Sequence, residues 1–343
     1  MQYTALVTAD LHLNDNSRDS YRHDFMRSQL PKLLKQYKPK YLIILGDLTD
    51  EKDRHRSELV NAVVNYLHTY SNICKVIILR GNHDCLDPTS PFFQFVSLLE
   101  NVLWINKPTP LKLGELGECL FLPHTRNYER DWKHSMFALY TTDPLAGYIF
   151  CHNAFEGAVS ESGKRMQGIP TSIFPKKATV LSGDIHVPQQ VGPVTYCGAP
   201  YTIRFGDKFT PCIRMLRRSQ NRLCIDTQPT SGPQKRIIEV KNTARLDRYV
   251  EKFNEGDLLK LRVHLKADEY PKWNEIKEQL RDWCDQNGGI VCEIQPIKQS
   301  ASIKLNRKSV STRTDHELLE TYAKRKGISA SILRTGLKIM EEV

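Results

Sequence analysis

Five short apolar runs, each breaking off into side chains that can ligate a metal, constrain this chain more than any other feature. Residues 3–7 lead into "TADLH", 41–45 into "GDLTD", 76–79 into "GNHD", 148–150 into "CHN" and 179–181 into "SGDIH". Runs this short suit buried strands and are too short for helices. Between the first three lie segments with apolar residues near helical spacing. Residues 21–36 carry Tyr21, Phe25, Leu30, Leu33 and Leu34; residues 57–70 carry Leu59, Val60, Val63, Val64 and Leu67, with Ser57 as the expected N-cap. Strand, helix, strand, helix reads as a layered α/β domain. Ligands in open α/β sheets sit beyond the carboxyl ends of the strands. Five such ends would therefore gather several Asp, Asn and His side chains in one crevice.

The pattern then changes. Residues 201–234 read as an irregular stretch with Pro, Gly and Arg, including "IRMLRRSQNR". "KRIIEV" at 235–240 reads as a strand, and Leu259, Leu261, Val263 and Leu265 alternate with Lys260, Arg262, His264 and Lys266, as in a strand with one buried face. Trp273, Ile276, Leu280 and Trp283 mark an amphipathic helix stopped by Gly288 and Gly289, and "IVCEIQPI" at 290–297 reads as a further strand. The expected layout is a domain over 1–234, a small α+β domain over 235–298, a polar linker over 299–313 and a helical tail over 314–343. In the tail, Thr314 and Glu317 are expected to form a capping box, Gly327 to stop the first helix, and a second helix to run over 331–342.

Asp10 and Asp47 offer hard oxygens, His12, His152 and His186 offer nitrogens, and Asn82 an amide oxygen. Mixed nitrogen and oxygen ligation suits Mn²⁺, with Fe²⁺, Zn²⁺ and Co²⁺ as alternatives. Six or seven ligands are too many for one tetrahedral ion. They suit two ions roughly 3.5–4 Å apart that share a carboxylate, the arrangement for in-line displacement at phosphorus. A lone Asp after a strand is usually a turn residue. Recurrence at five strand ends is what argues for a metal centre.

Asp10-x-His12, Gly46-Asp47, Gly81-Asn82-His83-Asp84, His152 and Gly183-x-x-His186, in this order, resemble the calcineurin-like metallophosphoesterase superfamily. Within it the chain resembles the SbcD-type nuclease subunits of DNA repair complexes, through "YCGAPYTIRFGD" after the last motif and the small domain and helical tail that follow. The resemblance implies an α/β fold: a metallophosphoesterase β-sandwich flanked by helices, with a DNA-capping α+β domain and a C-terminal helical tail. It implies that Asp10, His12 and His186 hold one ion, that Asp47 bridges both, and that Asn82 and His152 hold the second. His83 would protonate or stabilise the leaving oxygen, and Asp84 would orient His83. It also implies a metal-dependent DNA exonuclease or endonuclease acting in repair and recombination, a homodimer, and an SbcC-type ABC ATPase with a long coiled coil as partner, docked on 314–343. No Gly-x-x-x-x-Gly-Lys-[Ser/Thr] loop occurs in this chain.

Two positions depart from the family pattern. Asp184 stands where the last motif usually has a histidine; as a ligand it is harder and would favour Mn²⁺ or Mg²⁺. Asp50 stands three residues after Asp47, where nuclease relatives often carry a histidine. These departures are the best arguments for one rival reading, a catalytically weak DNA-binding scaffold; a second rival, a phosphodiesterase or phosphatase for small molecules, has the basic balance and the extra domain against it.

A net charge of +10 favours a polyanionic partner. Arg204, Lys208, Arg214, Arg217, Arg218 and Arg222 follow the metal motifs directly and are candidate DNA contacts, as are Lys260 and Arg262 on the exposed face of their strand. His124 in "LPHTRN" reads as structural, with lining the cleft as the alternative. Nine cysteines without a CxxC pair read as reduced thiols of a cytoplasmic protein. No basic segment followed by a long apolar one marks a signal peptide, and no apolar run approaches the ~18 residues that would span a bilayer, so no membrane association is expected.

Overall fold

The computed structural model describes residues 2–136, 148–175, 178–219, 222–298 and 315–341. The strands of the main body are β1 (Ala5–Thr8), β2 (Tyr41–Leu45), β3 (Lys75–Leu79), β4 (Val102–Ile105), β5 (Thr109–Lys112), β6 (Glu118–Leu122), β7 (Tyr148–His152), β8 (Thr179–Gly183), β9 (Gln189–Val191), β10 (Val194–Tyr196), β11 (Cys212–Ser219) and β12 (Arg222–Pro229). They form two six-stranded sheets, ordered β12-β11-β1-β2-β3-β4 and β5-β6-β7-β8-β10-β9. β1 to β4 pair in parallel, as do β6, β7 and β8, so the strands that carry the motifs run in one direction within each sheet.

The two sheets face each other across a dry core that includes Val7, Ile43, Leu45, Ile77 and Leu79 from the first and Phe121, Phe150 and Leu181 from the second. On the outer face of the first sheet, Leu6, Leu42, Ile44, Val76 and Ile78 pack with Phe25, Leu34, Val63 and Leu67 of two helices. On the outer face of the second, Leu120, Ile149 and Val180 pack with Trp132, Phe155 and Phe174. The central strands are thus buried on both faces, which is why they read as unbroken apolar runs.

The first helix, α1, is built from Ser20–Asp24, a widened π turn at Phe25–Gln29, and Leu30–Tyr37. Pro31 lacks the N–H that a regular turn would use, and the widened turn comes just ahead of it. The second, α2, is Ser57–Ser71; its N-cap is the extended Arg56 and makes no side-chain bond. Ser57 is the first helical residue and not the cap.

The stretch 201–234 is not irregular throughout. β11 and β12 pair residue for residue as an antiparallel hairpin from Cys212↔Pro229 to Ser219↔Arg222. Cys212, Ile213, Met215 and Leu216 are its buried positions, and the arginines at 214, 217 and 218 hid the strand pattern.

A three-stranded sheet follows, β13 (Lys235–Val240), β14 (Leu258–Leu265) and β15 (Ile290–Lys298), with helix α3 (Trp273–Gln286). Its core joins Ile238, Val240, Leu259, Leu261, Val263 and Leu265 to Ile276 and Leu280. Lys235 at the start of β13 pins it to the sandwich, with Nζ 2.5 Å from Asp19 Oδ1 and 3.2 Å from the Ile203 carbonyl. The chain divides into two compact units, Met1–Ile297 and Lys298–Val343. The second holds α4 (Asp315–Lys326) and α5 (Ala330–Glu341), separated at Gly327, whose φ is +65°. Thr314, the first half of the expected capping box, and the linker lie outside the described residues.

Candidate metal centre

The polar segments after β1, β2, β3, β7 and β8 meet at one end of the sandwich. The loop after β1 runs alongside the loop after β2: Asp10 N–H donates to Gly46 O at 3.1 Å and His12 N–H to Asp47 O at 2.9 Å. Six non-glycine residues have positive φ among the described residues, and four of them are Asp10 (55°), His12 (44°), Asp47 (54°) and Asp184 (82°). Such backbone is uncommon for side chains with a Cβ and collects at functional sites. Gly81 is required for a different reason: a Cβ there would lie 2.3 Å from Asp47 Oδ1.

Around Asp47 the side chains fall into overlapping groups. Ligand atoms of Asp10, His12 and His186 lie within 4.8 Å of one another, as do those of Asp10, Asp47 and His152, and those of His12, Asp47 and His83. His12 Nε2 is 3.1 Å from His186 Nε2 and 3.5 Å from Asp47 Oδ2. His152 Nε2 is 3.4 Å from Asp47 Oδ1 and 3.9 Å from Asp184 Oδ1. One terminal atom of the Asn82 amide lies 2.8 Å from His152 Nε2, 3.1 and 3.2 Å from the Asp47 oxygens and 3.3 Å from Asp184 Oδ1, which places the amide inside the ligand cluster. Asp10 Oδ2 is buried with no partner. The donor set and these two observations fit divalent metal ions.

Each of the four histidines presents its Nδ1 to an oxygen, which leaves Nε2 for the centre. His152 Nδ1 meets the Leu45 carbonyl at 2.6 Å, His12 Nδ1 the Asp50 carboxylate at 2.9 Å, His186 Nδ1 the Glu161 carboxylate at 3.0 Å, and His83 Nδ1 the Asp50 carbonyl at 2.7 Å. Asp50 also receives Asn14 at 2.6 Å and the buried Arg22 at 3.0 Å, and Arg22 is held in turn by Asp19 at 3.1 Å. Sequence reading treated Asp50 only as a missing histidine and did not find Arg22 or Glu161. Nothing in the pattern marks Arg22, which sits among the helical positions of α1.

Asp84 does not orient His83. Its Oδ2 accepts from Gly81 N–H at 2.5 Å and Asp47 N–H at 2.9 Å, and its Oδ1 from Leu48 N–H at 2.9 Å. The donors on Asp47 and Leu48 tie the loop after β3 to the loop after β2, and the one on Gly81 closes the turn within the loop after β3, so Asp84 sets the path on which both Asp47 and Asn82 stand.

Charge is distributed unevenly. Burial pushes the Asp10 carboxyl up to about 7. Burial also acts on Asp47, but His152 and His12 outweigh it and hold that carboxyl well below the usual range. Burial opposes a charge on His152, yet Asp47 raises it well above an ordinary imidazole. His186 is pushed down to about 3 by burial and by the neighbouring His12 and Arg204.

A cleft of about 880 Å³ opens over the centre, with His12, Asp47, Asn82, His83, Asp184 and His186 in its walls and Arg204, Lys208 and Arg262 at its rim. Asp207 shapes the turn that presents Arg204, accepting from the N–H groups of Ile203 and Arg204 at 2.8 and 2.9 Å. Four other expected DNA contacts do not line this cleft. Arg217 pairs with Asp226 at 3.1 Å, Lys260 with Glu293 at 2.8 Å, Arg214 donates to the Tyr196 carbonyl at 3.2 Å, and Arg218 to the Glu115 carbonyl at 3.4 Å. The Arg222 side chain lies outside the described residues. His124 lines a second cavity on the far side of Asn82. All nine cysteines are free thiols, and among the described residues no helix is long and apolar enough to cross a membrane.

Residues 3–171, which carry β1 to β7 and their motifs, match the calcineurin-like phosphoesterase family, whose members are phosphoester hydrolases that use divalent metal ions. Asp184 and His186 lie beyond the matched segment. The chain is 26% identical over 110 residues to "Uncharacterized protein R555" of Acanthamoeba polyphaga mimivirus, a match covering 29% of this chain and 8% of that protein. Among solved structures it is similar to nuclease MPE of Pseudomonas putida, at 15% identity over 66% of this chain and 74% of that one; a TM-score of 0.32 makes this likeness too loose to bear on function.

Proposed function

We propose that this protein is a metal-dependent DNA nuclease. The observation that carries the reading is Asp47 at the overlap of two ligand groups on the floor of a cleft rimmed by Arg204, Lys208 and Arg262. In this reading Asp10, His12 and His186 hold one ion, Asn82, His152 and Asp184 the other, and Asp47 both. The bound ions would supply a hydroxide nucleophile near neutral pH and charge neutralisation at the phosphate. Mn²⁺ matches the mixed nitrogen and oxygen donors best, with Mg²⁺ second. His83, held at Nδ1 by the Asp50 carbonyl, presents Nε2 to deliver a proton to the leaving oxygen. Arg204, Lys208 and Arg262 grip the strand's phosphates, a role that a net charge of +10 supports over a small-molecule substrate.

We further propose that the chain works as the nuclease subunit of an SbcCD-like repair and recombination complex in the cytoplasm, as a homodimer joined to an SbcC-type ABC ATPase. The tail is the proposed dock: Leu318, Tyr322 and Ile332 are exposed apolar residues on α4 and α5.

The test is cleavage of linear duplex, single-stranded and circular DNA by the purified protein with Mn²⁺, Mg²⁺ or EDTA, with His83→Ala and Asp47→Asn as controls. Metal-dependent cutting lost in both variants is expected. Cutting that appears only with the ATPase would make the chain an obligate partner subunit. Cleavage of a chromogenic diester but never of DNA would favour a small-molecule enzyme. Absence of any activity with DNA binding intact would favour a scaffold.

A further inference from the structure

Beside the metal centre lies a second cavity of about 680 Å³, with Lys52, Arg80, Lys107, His124 and Arg126 in its walls. Asn82 lines this cavity as well as the metal cleft, so the two adjoin. Arg80 is only 6% exposed. Its NH2 donates to the His124 carbonyl at 2.7 Å, its NH1 lies 3.7 Å from Cys85 Sγ, and its Nε has no partner. Among the described residues no carboxylate pairs with Arg80, Lys52, Lys107 or Arg126. The acid that lines the cavity, Asp131, is already taken by Arg130 at 2.6 Å and by Thr125.

A buried guanidinium without a counter-charge is costly to keep, and its planar fork matches an oxyanion. We propose that this cavity is a phosphate-binding subsite, floored by Arg80 and flanked by Lys107 and Arg126. Its occupant is the phosphate next to the one at the metal centre, on a strand that enters past Arg204 and Arg262 and leaves past Arg80. Naming a strand as the occupant rests on the nuclease reading; the oxyanion chemistry does not.

Two arms test this separately. In the first, the whole protein in EDTA is titrated with pyrophosphate by calorimetry, so that the metal centre takes no part. The wild type should bind, and Lys107→Gln/Arg126→Gln should weaken binding roughly tenfold, since charge-assisted hydrogen bonds are lost. Lys35→Gln, at an exposed position of α1, controls for bulk charge. Both subsite changes are at exposed residues, so folding is retained; Arg80→Met, checked by circular dichroism, should abolish binding. No binding by the wild type, or equal binding by the double variant, overturns the subsite. In the second arm, with Mn²⁺, kcat/KM is compared on bis(p-nitrophenyl) phosphate and on an oligothymidylate. The double variant should lose roughly tenfold more on the oligonucleotide than on the small diester, because only the polymer reaches past Asn82. Equal losses overturn the strand path. Pyrophosphate binding as expected with no oligonucleotide cleavage by the wild type would sink the nuclease reading and leave the subsite standing.

Discussion

The two halves of the proposed metal centre are supported differently. In the half made by His12 and His186, the imidazoles lean on side-chain carboxylates, Asp50 at 2.9 Å and Glu161 at 3.0 Å. In the half made by Asn82, His152 and Asp184, His152 leans on a main-chain carbonyl, that of Leu45 at the end of β2, at 2.6 Å. A backbone support is fixed by the sheet and does not depend on which side chain stands there. A carboxylate support adds negative charge behind the imidazole and can be removed by one substitution. The first half should therefore be tunable and the second rigid, with Asp47 common to both.

Asp47→Asn should break the comparison outright, since it removes the carboxylate both halves share. Metal content should fall below one ion per chain, and phosphodiesterase activity by roughly three orders of magnitude or more, as for loss of a group that acts with the whole site. Elemental analysis with a chromogenic diester assay checks this. A variant that still held two ions would show that the halves do not share Asp47.

Asp84→Ala should act on both halves through the backbone. It strips three buried N–H groups of their acceptor, each worth ~1–3 kcal/mol when left unmet. A loss of ~3 kcal/mol or more in urea unfolding is expected in metal-free protein. If stability held and only the pH profile of catalysis moved, Asp84 would be serving His83 after all.

Why the sequence brings together the side chains around Asp47 but not the contacts of Asp84 is a matter of distance along the chain. The cluster of candidate ligands was legible because β1, β2, β3, β7 and β8 are buried on both faces and stand out as apolar runs, each handing over to Asp, Asn or His. β4, β5, β6, β9 and β10 were not read, because short strands such as Thr109–Lys112, half-buried and without such a terminus, carry no pattern. Partners such as Arg22 for Asp50, or Asp84 for Leu48, are set by how loops cross in space. Periodicity says nothing about that.

Asp50→Ala separates the halves. Losing the support behind His12 should weaken one metal site by about 10–100-fold while the other keeps its ion. Glu161→Gln, which retains an oxygen toward His186, should cost less, roughly tenfold or below. Manganese titration followed by electron paramagnetic resonance distinguishes the two sites. Equal weakening of both by Asp50→Ala would mean that the halves are not independently supported.

Protonation sharpens the same division. Asp10 is raised to about 7 by burial, and His152 is raised well above its ordinary value against burial by Asp47. Near neutral pH the metal-free protein therefore keeps His152 protonated and Asp10 partly so, and both must be deprotonated to ligate. Loading a cation should then release protons, and affinity should rise with pH and fall as pH drops below about 7. Calorimetry in buffers of different ionisation heat reads the release directly; a pH-independent affinity with no release would contradict this assignment of charge.

The smallest effect should come from Asp184→His, which restores the side chain the family usually has. Asp184 Oδ1 already faces the Asn82 amide and His152 Nε2, so the change replaces one inward ligand by another. Its φ of 82° is uncommon for either residue, and histidine tolerates that region nearly as well as aspartate. Activity with Mn²⁺ should stay within about tenfold, while preference should shift from Mg²⁺ toward Zn²⁺ as an oxygen gives way to a nitrogen. Ranking activity across the three metals in both proteins reads this shift. An unchanged ranking would mean that residue 184 does not touch the ion, and that Asn82 and His152 hold that half without it.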